Sequence, residues 1–194
     1  LETSISKADV QDSNFVVDFF MLNDSQVKLA MRTVESETTV TNPAAAPFEW
    51  PDFIIDVQDI DLNNNSVDYR LDGAAPKPNQ FDPNAIVISN LRLLADDVHY
   101  ENQKATATID ELAFEEGSGI NVNQFSLAVT ASDQMIDITD LNAQVNNNSL
   151  QGKVQLGYDS MNSFINNPEN VQLDVAIPNY SIDLTDVFRF QPDL

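Results

Sequence analysis

Apolar residues recur along this chain in one fixed pattern. Two apolar residues stand two positions apart, a polar pair follows, and two more apolar residues again stand two apart. Clear copies run from Ile55 to Leu62, Ile86 to Leu93, Ala107 to Phe114, Ile120 to Leu127, Ile136 to Ala143 and Val175 to Ile182, and a degraded copy runs from Thr3 to Val10.

The spacing within each copy predicts a bent β-strand. Residues two apart share one face of a strand, whereas the step of three across the polar pair would turn the second half over. A β-bulge at the polar pair restores the face and increases the local twist. The chain is therefore predicted to be all-β, a curved antiparallel meander with one apolar face that forms a half-open trough.

The apolar positions of these copies are the predicted lining of that trough. We expect them to form a groove for lipid acyl chains. They are Ile55, Val57, Ile60, Leu62, Ile86, Ile88, Leu91, Leu93, Ile109, Leu112, Phe114, Ile120, Val122, Phe125, Leu127, Ile136, Ile138, Leu141, Val175 and Ile177.

Clusters of Asn and Asp between apolar runs predict hairpin turns, because these residues tolerate left-handed backbone geometry. Such turns are expected at residues 23–25, 63–66, 96–97 and 146–149. Two Pro-containing stretches, near 34–51 and 72–83, are predicted loops. Between Ser160 and Asn170 we expect one helical turn, capped by Ser160, with Met161, Phe164 and Ile165 packed inward.

The charge balance narrows the set of partners. There are 31 acidic and 9 basic residues, a formal charge of −22. Such a chain repels nucleic acid, so no nucleic-acid partner is expected. The acids alternate with apolar residues, which favours a solvated outer face over a dedicated calcium-binding surface.

The sequence also lacks cysteine and any segment that could anchor it in a membrane as a helix. There is no cysteine and no apolar run of about 18 residues that could span a bilayer as a helix. Because the chain opens on Leu1 without a signal sequence, we expect residues 1–194 to be a single repetitive β segment of a longer protein.

The sequence offers no catalytic constellation. His99 is the only histidine, and neither a nucleophile elbow nor a phosphate-binding glycine loop is present. Residues 61–72 resemble a calcium loop but lack its central glycine, which favours an Asn-rich turn. We therefore expect no enzyme activity, no cofactor and no dedicated metal site.

Several short motifs carry a family resemblance when taken in order. They are Ile54-Ile55-Asp56-Val57 with the run from Ile60 to Ser66, Phe81-Asp82-Pro83 before Ile88-Ser89-Asn90-Leu91, the run from Glu115 to Gly119, the run from Leu156 to Ser160, and the closing runs from Ile182 to Asp186 and Phe190 to Leu194. Over about residues 50–194 the chain resembles the TamB branch of the AsmA-like superfamily.

The resemblance implies a β-taco-like protein of the Gram-negative cell envelope, lying in the periplasm and anchored to the inner membrane by a helix outside this sequence. It implies phospholipid transport between membranes, outer-membrane protein assembly beside a BamA-like barrel, or both. The alternative that the residues leave open is a structural or adhesive extracellular β module with a sealed core and incidental calcium.

Overall fold

A computed structural model of the protein describes residues 1–33, 48–184 and 186, and these residues form one open, strongly curved sheet. Its strands are β1 (Glu2–Asp9), β2 (Asn14–Asn23), β3 (Gln26–Met31), β4 (Ile54–Leu71), β5 (Ala85–Glu101), β6 (Lys104–Glu116), β7 (Asn121–Ser132), β8 (Met135–Val145), β9 (Asn148–Gly157) and β10 (Gln172–Ser181). A helix, α1 (Met161–Asn166), and a 3-10 turn (Pro168–Asn170) precede β10. The prediction of an all-β trough is confirmed.

From β4 to β10 the sheet is the predicted antiparallel meander, in which each strand pairs with the next. The amino-terminal part departs from it, because β2 and β3 both pair with β4 in parallel. Asn14 lies opposite Ile54 and Met31 opposite Leu71, so partners stand 40 positions apart throughout. Thus β2 and β3 form one interrupted strand along the whole length of β4, and β1 pairs antiparallel with β2.

Three of the predicted hairpins are wrong. Residues 63–66 lie inside β4 and residues 96–97 lie inside β5, while residues 23–25 interrupt two strands that continue in one direction. Asp24, Asn64 and Asp97 do have positive φ (48°, 54° and 50°). A single residue of this kind bends a strand without reversing it. The predicted hairpin at 146–149 is confirmed as the turn between β8 and β9.

The predicted bulges at the polar pairs are largely confirmed. Strand register shifts beside Ser89-Asn90, Asp110-Glu111, Asn123-Gln124, Thr139-Asp140 and Pro178-Asn179. At Gln58-Asp59 the register with β5 stays continuous, since Val57 lies opposite Val98 and Ile60 opposite Ala95. Both strands take the same step of three there, so their apolar residues remain face to face.

The apolar face has little to cover it. Among the described residues, the only hydrophobic side chains below a tenth exposed are Ala85, Ala95 and Tyr158, and no large side chain is fully buried. A single sheet has no second layer to pack against its apolar side. The apolar residues therefore stay half-exposed, which is unusual for a chain long enough to bury a core.

The connections follow the predictions in part. Residues 72–83 form the loop between β4 and β5. Residues 34–47 of the other predicted loop lie outside the described residues. Ser160 caps α1, and its Oγ accepts a hydrogen bond from the Ser163 N–H. The expectation that Ile165 packs inward is wrong, because its side chain is 54% exposed.

Candidate functional site

Strand register places apolar residues side by side across the whole sheet. Residues directly opposite each other in a ladder share a face. Leu93 of β5 lies between Leu62 of β4 and Leu112 of β6. Further along, Val154 of β9 lies between Ile138 and Val175. Between them, Val129 of β7 lies opposite Ala107 and Ile138. The same face is thus apolar from β4 to β10, and we call it the inner face.

The predicted lining residues are similar in exposure, with one exception. All are half-buried except Val175, which is 44% exposed on the edge strand β10. Ile120 lies immediately before β7. The strand pairing places Leu62, Leu93 and Leu112 side by side, and the contact of the predicted lining with lipid stays a prediction.

Sequence reasoning missed the contribution of β2 and β3. Through the parallel ladder, Val17 lies opposite Val57 and Phe20 opposite Ile60, so both share the inner face. The sequence does contain the same step of three, between Val17 and Phe20. The pattern was missed because the intervening pair, Asp18-Phe19, is not fully polar: it includes the apolar Phe19.

The outer face of the sheet carries acidic side chains around Leu94. Leu94, the neighbour of Leu93, lies opposite Asp61 and Glu111 on that side. Its surroundings therefore differ in kind from those of Leu93 although both side chains are half-buried.

His99 lies on the outer face, beside a cavity of about 700 Å³. Its Nδ1 is 3.6 Å from Asp56 and its Nε2 is 3.8 Å from Glu101. These side chains are more than two-fifths exposed, so any ion pair there contributes little. Among the described residues no group of three or more His, Cys, Asp or Glu side chains could hold a metal ion.

Residues 48–53, just before β4, lie against the ends of β5 and β7, and we call this segment the strap. The Trp50 ring stacks on Tyr100 with centroids 6.0 Å apart and planes 19° apart. Phe53 packs on the same tyrosine at 5.0 Å, and Phe48 meets Trp50 edge-on at 5.2 Å. The Tyr100 hydroxyl donates to the Pro51 carbonyl oxygen at 2.7 Å. The strap thus packs on an inner-face residue, since Tyr100 lies opposite Ile55.

The far side of the strap is held by polar contacts. Trp50 Nε1 donates to Asp133 Oδ1 at 3.0 Å, in the turn between β7 and β8. Asn162 of α1 forms two hydrogen bonds with the backbone of Phe48, at 2.5 and 2.9 Å. The strap therefore connects strands that are not neighbours, with β5 and β6 lying between β4 and β7.

Hydrogen bonds at the opposite end connect adjacent strands. The Gly117 N–H donates to the Val87 carbonyl between β6 and β5, and the Asn146 N–H donates to the Asn121 carbonyl between β8 and β7. The contacts at the two sets of strand ends therefore differ.

The charge of Asp133 helps to hold the strap in place. Hydrogen bonds from the Trp50 indole, and then from the Met161 backbone, lower the pKa of Asp133 below its ordinary value. A lowered pKa stabilises the folded contact above the unfolded pKa and loses that stabilisation as the pH falls through the folded one. Acidification below about pH 4 is expected to loosen the strap.

The measurement for this pH dependence is the fluorescence of Trp50, which should shift to longer wavelength as the strap opens. In Asp133→Asn the amide keeps an acceptor oxygen but does not titrate, so its emission should change less over the same range. Equal shifts in both proteins would assign the change to other carboxyl groups and contradict the expectation.

No protein-family model, no curated protein and no solved structure matches this chain. Within the part of the chain that the structure describes, no helix combines the length and hydropathy needed to cross a bilayer.

Proposed function

We propose that this chain is a non-catalytic segment of a TamB-like envelope protein and that its trough holds the acyl chains of phospholipid. The observation that carries the proposal is an inner face that is apolar across the sheet, in a molecule whose described residues include no fully buried large side chain. Such a face needs a covering ligand or partner.

Acyl chains suit this face energetically. Exposed apolar surface costs about 25 cal/mol per Å², and burying a methylene group contributes about 0.8 kcal/mol. The inner-face side chains that carry the proposal, such as Leu93, Leu112 and Leu127, offer no polar group that must be paired. A flexible hydrocarbon chain can also bend to follow a curved surface, so the surface needs no specific shape complementarity.

Charge argues against a second copy as the covering partner. Each copy has a formal charge of −22, so two copies brought face to face would repel each other. A phospholipid contributes its apolar tails to the trough and leaves its head group at the open side in water.

The family resemblance supplies the cellular part of the proposal. We place the parent protein in the periplasm, anchored to the inner membrane, with phospholipid transport or outer-membrane protein assembly as its role and a BamA-like barrel as a partner. These statements depend on the resemblance of the motifs and not on the geometry of the trough.

The competing adhesive module predicts a sealed core. The described residues show a half-exposed apolar face instead, and no observation favours that module.

Adjacent leucines on opposite faces provide the test. A photo-crosslinking benzophenone side chain replaces Leu93 on the inner face in one variant and Leu94 on the outer face in another. After incubation with phosphatidylethanolamine vesicles and irradiation, intact-protein mass spectrometry should find a phospholipid adduct at position 93 and only background at position 94. Equal adducts at both positions, or a protein–protein adduct at position 93, would contradict the proposal.

A further inference from the structure

We infer that a bound acyl chain lies across the strands, in the fold along which the sheet bends, and not along any one strand. The inference rests on the proposed function and adds the direction of the chain within the trough. Its basis is the position of the bulges, which follow one another across the sheet from β2 to β10.

The irregular positions lie near the middle of the strands. In β4 the register shifts on both sides of Asn65, close to the centre of Ile54–Leu71. In β8 it shifts across Thr139-Asp140, at the centre of Met135–Val145. The other irregular positions are also central, and they are residues 24–25 between β2 and β3, 89–92 in β5, 110 in β6, 123–127 in β7 and 177–178 in β10. We call these positions together the fold line.

Strand pairing places the bends of the fold line beside one another. Leu62, next to the bend in β4, lies opposite Leu93, and Leu93 lies opposite Leu112, next to the bend in β6. Toward the other edge, Leu141 of β8 lies opposite Gly152 of β9. A bulge bends its own strand, so bends in line across neighbouring strands fold the whole sheet. The trough axis therefore crosses the strands, and the strand ends form its rims.

A row of aliphatic side chains follows the fold line on the inner face. The first four members lie directly opposite one another in neighbouring strands, and all seven are half-buried. We call them the middle row, and they are Leu22, Leu62, Leu93, Leu112, Leu127, Leu141 and Ile177. A hydrocarbon chain above this row meets no side-chain polar group of its members.

An acyl chain in the fold contacts more apolar surface than one that follows a strand. Along the fold line each strand contributes inner-face side chains from both of its arms, so the chain has walls on two sides and the middle row beneath it. A chain along one strand lies on a single arm or must turn at the bulge. Since apolar burial contributes about 25 cal/mol per Å², the position with more contact is favoured. The head group then projects between the rims.

The leucine methyl groups of the unmodified protein provide the test. Deuterated protein with protonated leucine methyls is loaded from phosphatidylethanolamine vesicles, and NOEs from acyl-chain protons to these methyls are recorded. Strong NOEs should reach Leu62, Leu112 and Leu141, which belong to three different strands. Leu156 shares the inner face, opposite Ile136, but lies at the end of β9 and should give weaker NOEs. NOEs of equal strength at Leu156 and Leu141 would overturn the inference.

Two matched substitutions test the same point through binding. Leu141→Gln changes the middle row, Leu156→Gln changes a position near a strand end, and the benzophenone at position 93 reports phospholipid binding in each. Position 93 lies in β5, three strands from β8, so a single chain meets it and Leu141 only by crossing the strands. An unpaired amide against hydrocarbon should lower the adduct about fivefold in Leu141→Gln and less in Leu156→Gln. Equal losses would contradict the inference, and the NOEs decide the point if either variant does not fold.

The outcomes also separate this inference from the proposed function. A phospholipid adduct at position 93 combined with equal NOEs at all inner-face leucines overturns only the direction of the chain. Absence of both the adduct and the NOEs overturns the proposed function and the direction together.

Discussion

Replacing Gly152 with alanine is expected to separate β10 from β9 and to destabilise the protein by about 3 kcal/mol, at the upper end of the range for overpacking. A Cβ on Gly152 would lie 2.3 Å from the Ala176 carbonyl oxygen and 3.0 Å from the Ile177 Cα. Both atoms belong to the backbone of the β10 bulge, so no side-chain rotation can relieve the contact. The bulge and the glycine therefore depend on each other.

Chemical denaturation measures the stability loss, and hydrogen exchange localises it to the amides of β10, Gln172–Ser181. The matched control is Gly157→Ala in the same strand, where the nearest atom would be 3.8 Å from the new Cβ, an ordinary contact. If the two alanine variants unfold at the same denaturant concentration, the close approach at Gly152 does not restrain β10.

Replacing Asn65 with alanine is expected to cost a similar amount, about 3 kcal/mol for two partly buried backbone groups left without partners. Asn65 is 3% exposed, its Oδ1 accepts from the Ser25 N–H at 2.9 Å, and its Nδ2 donates to the Leu22 carbonyl at 2.7 Å. The side chain thus joins β4 to the interruption between β2 and β3. Its loss should weaken the parallel ladder more than the meander.

The control for Asn65 is Asn63→Ala, two positions earlier in β4, where the side chain is exposed. Its unfolding free energy should change by less than about 0.5 kcal/mol, as at ordinary surface positions. Hydrogen exchange should show faster exchange in β3 only for Asn65→Ala. Equal stability of the two variants would mean that the Asn65 contacts contribute nothing net.

The curved sheet was predictable because its signals are local. Alternation fixes which residues share a face, and a step of three can keep that face only through a bulge. The step from Ile109 to Leu112 shows this, since both lie on the inner face, opposite Ala95 and Leu93. Local spacing was sufficient there because the neighbouring strand followed the same rule.

The wrong hairpin predictions show what the local sequence cannot determine. Asn64 inside β4 and Asn146 in the β8–β9 turn have almost the same φ, 54° and 50°. One bends a strand and the other reverses the chain. The difference lies in the neighbouring strands, because β4 is paired on both sides past its bulge, and no property of the Asn-rich run itself records this.

The contacts of the strap could not be predicted either. Trp50 stood in a Pro-containing stretch that reads as a loop, and its hydrogen-bond partner Asp133 is 83 positions away. Neither residue belongs to the repeated pattern. Contacts that join a non-repeating segment to a distant turn leave no periodic trace in a single sequence.

The 40-position separation between β2–β3 and β4 has a consequence for how the sheet assembles. The turns from β5 to β9 bring strand ends together across two to four residues, whereas the parallel ladder must enclose some forty. Since the entropy of closing a loop grows as (3/2)R ln n, a forty-residue closure costs about 2 kcal/mol more than a four-residue one. The meander can therefore form strand by strand through short connections. Strands β2 and β3 then pair with β4 at the edge of a sheet that has already formed.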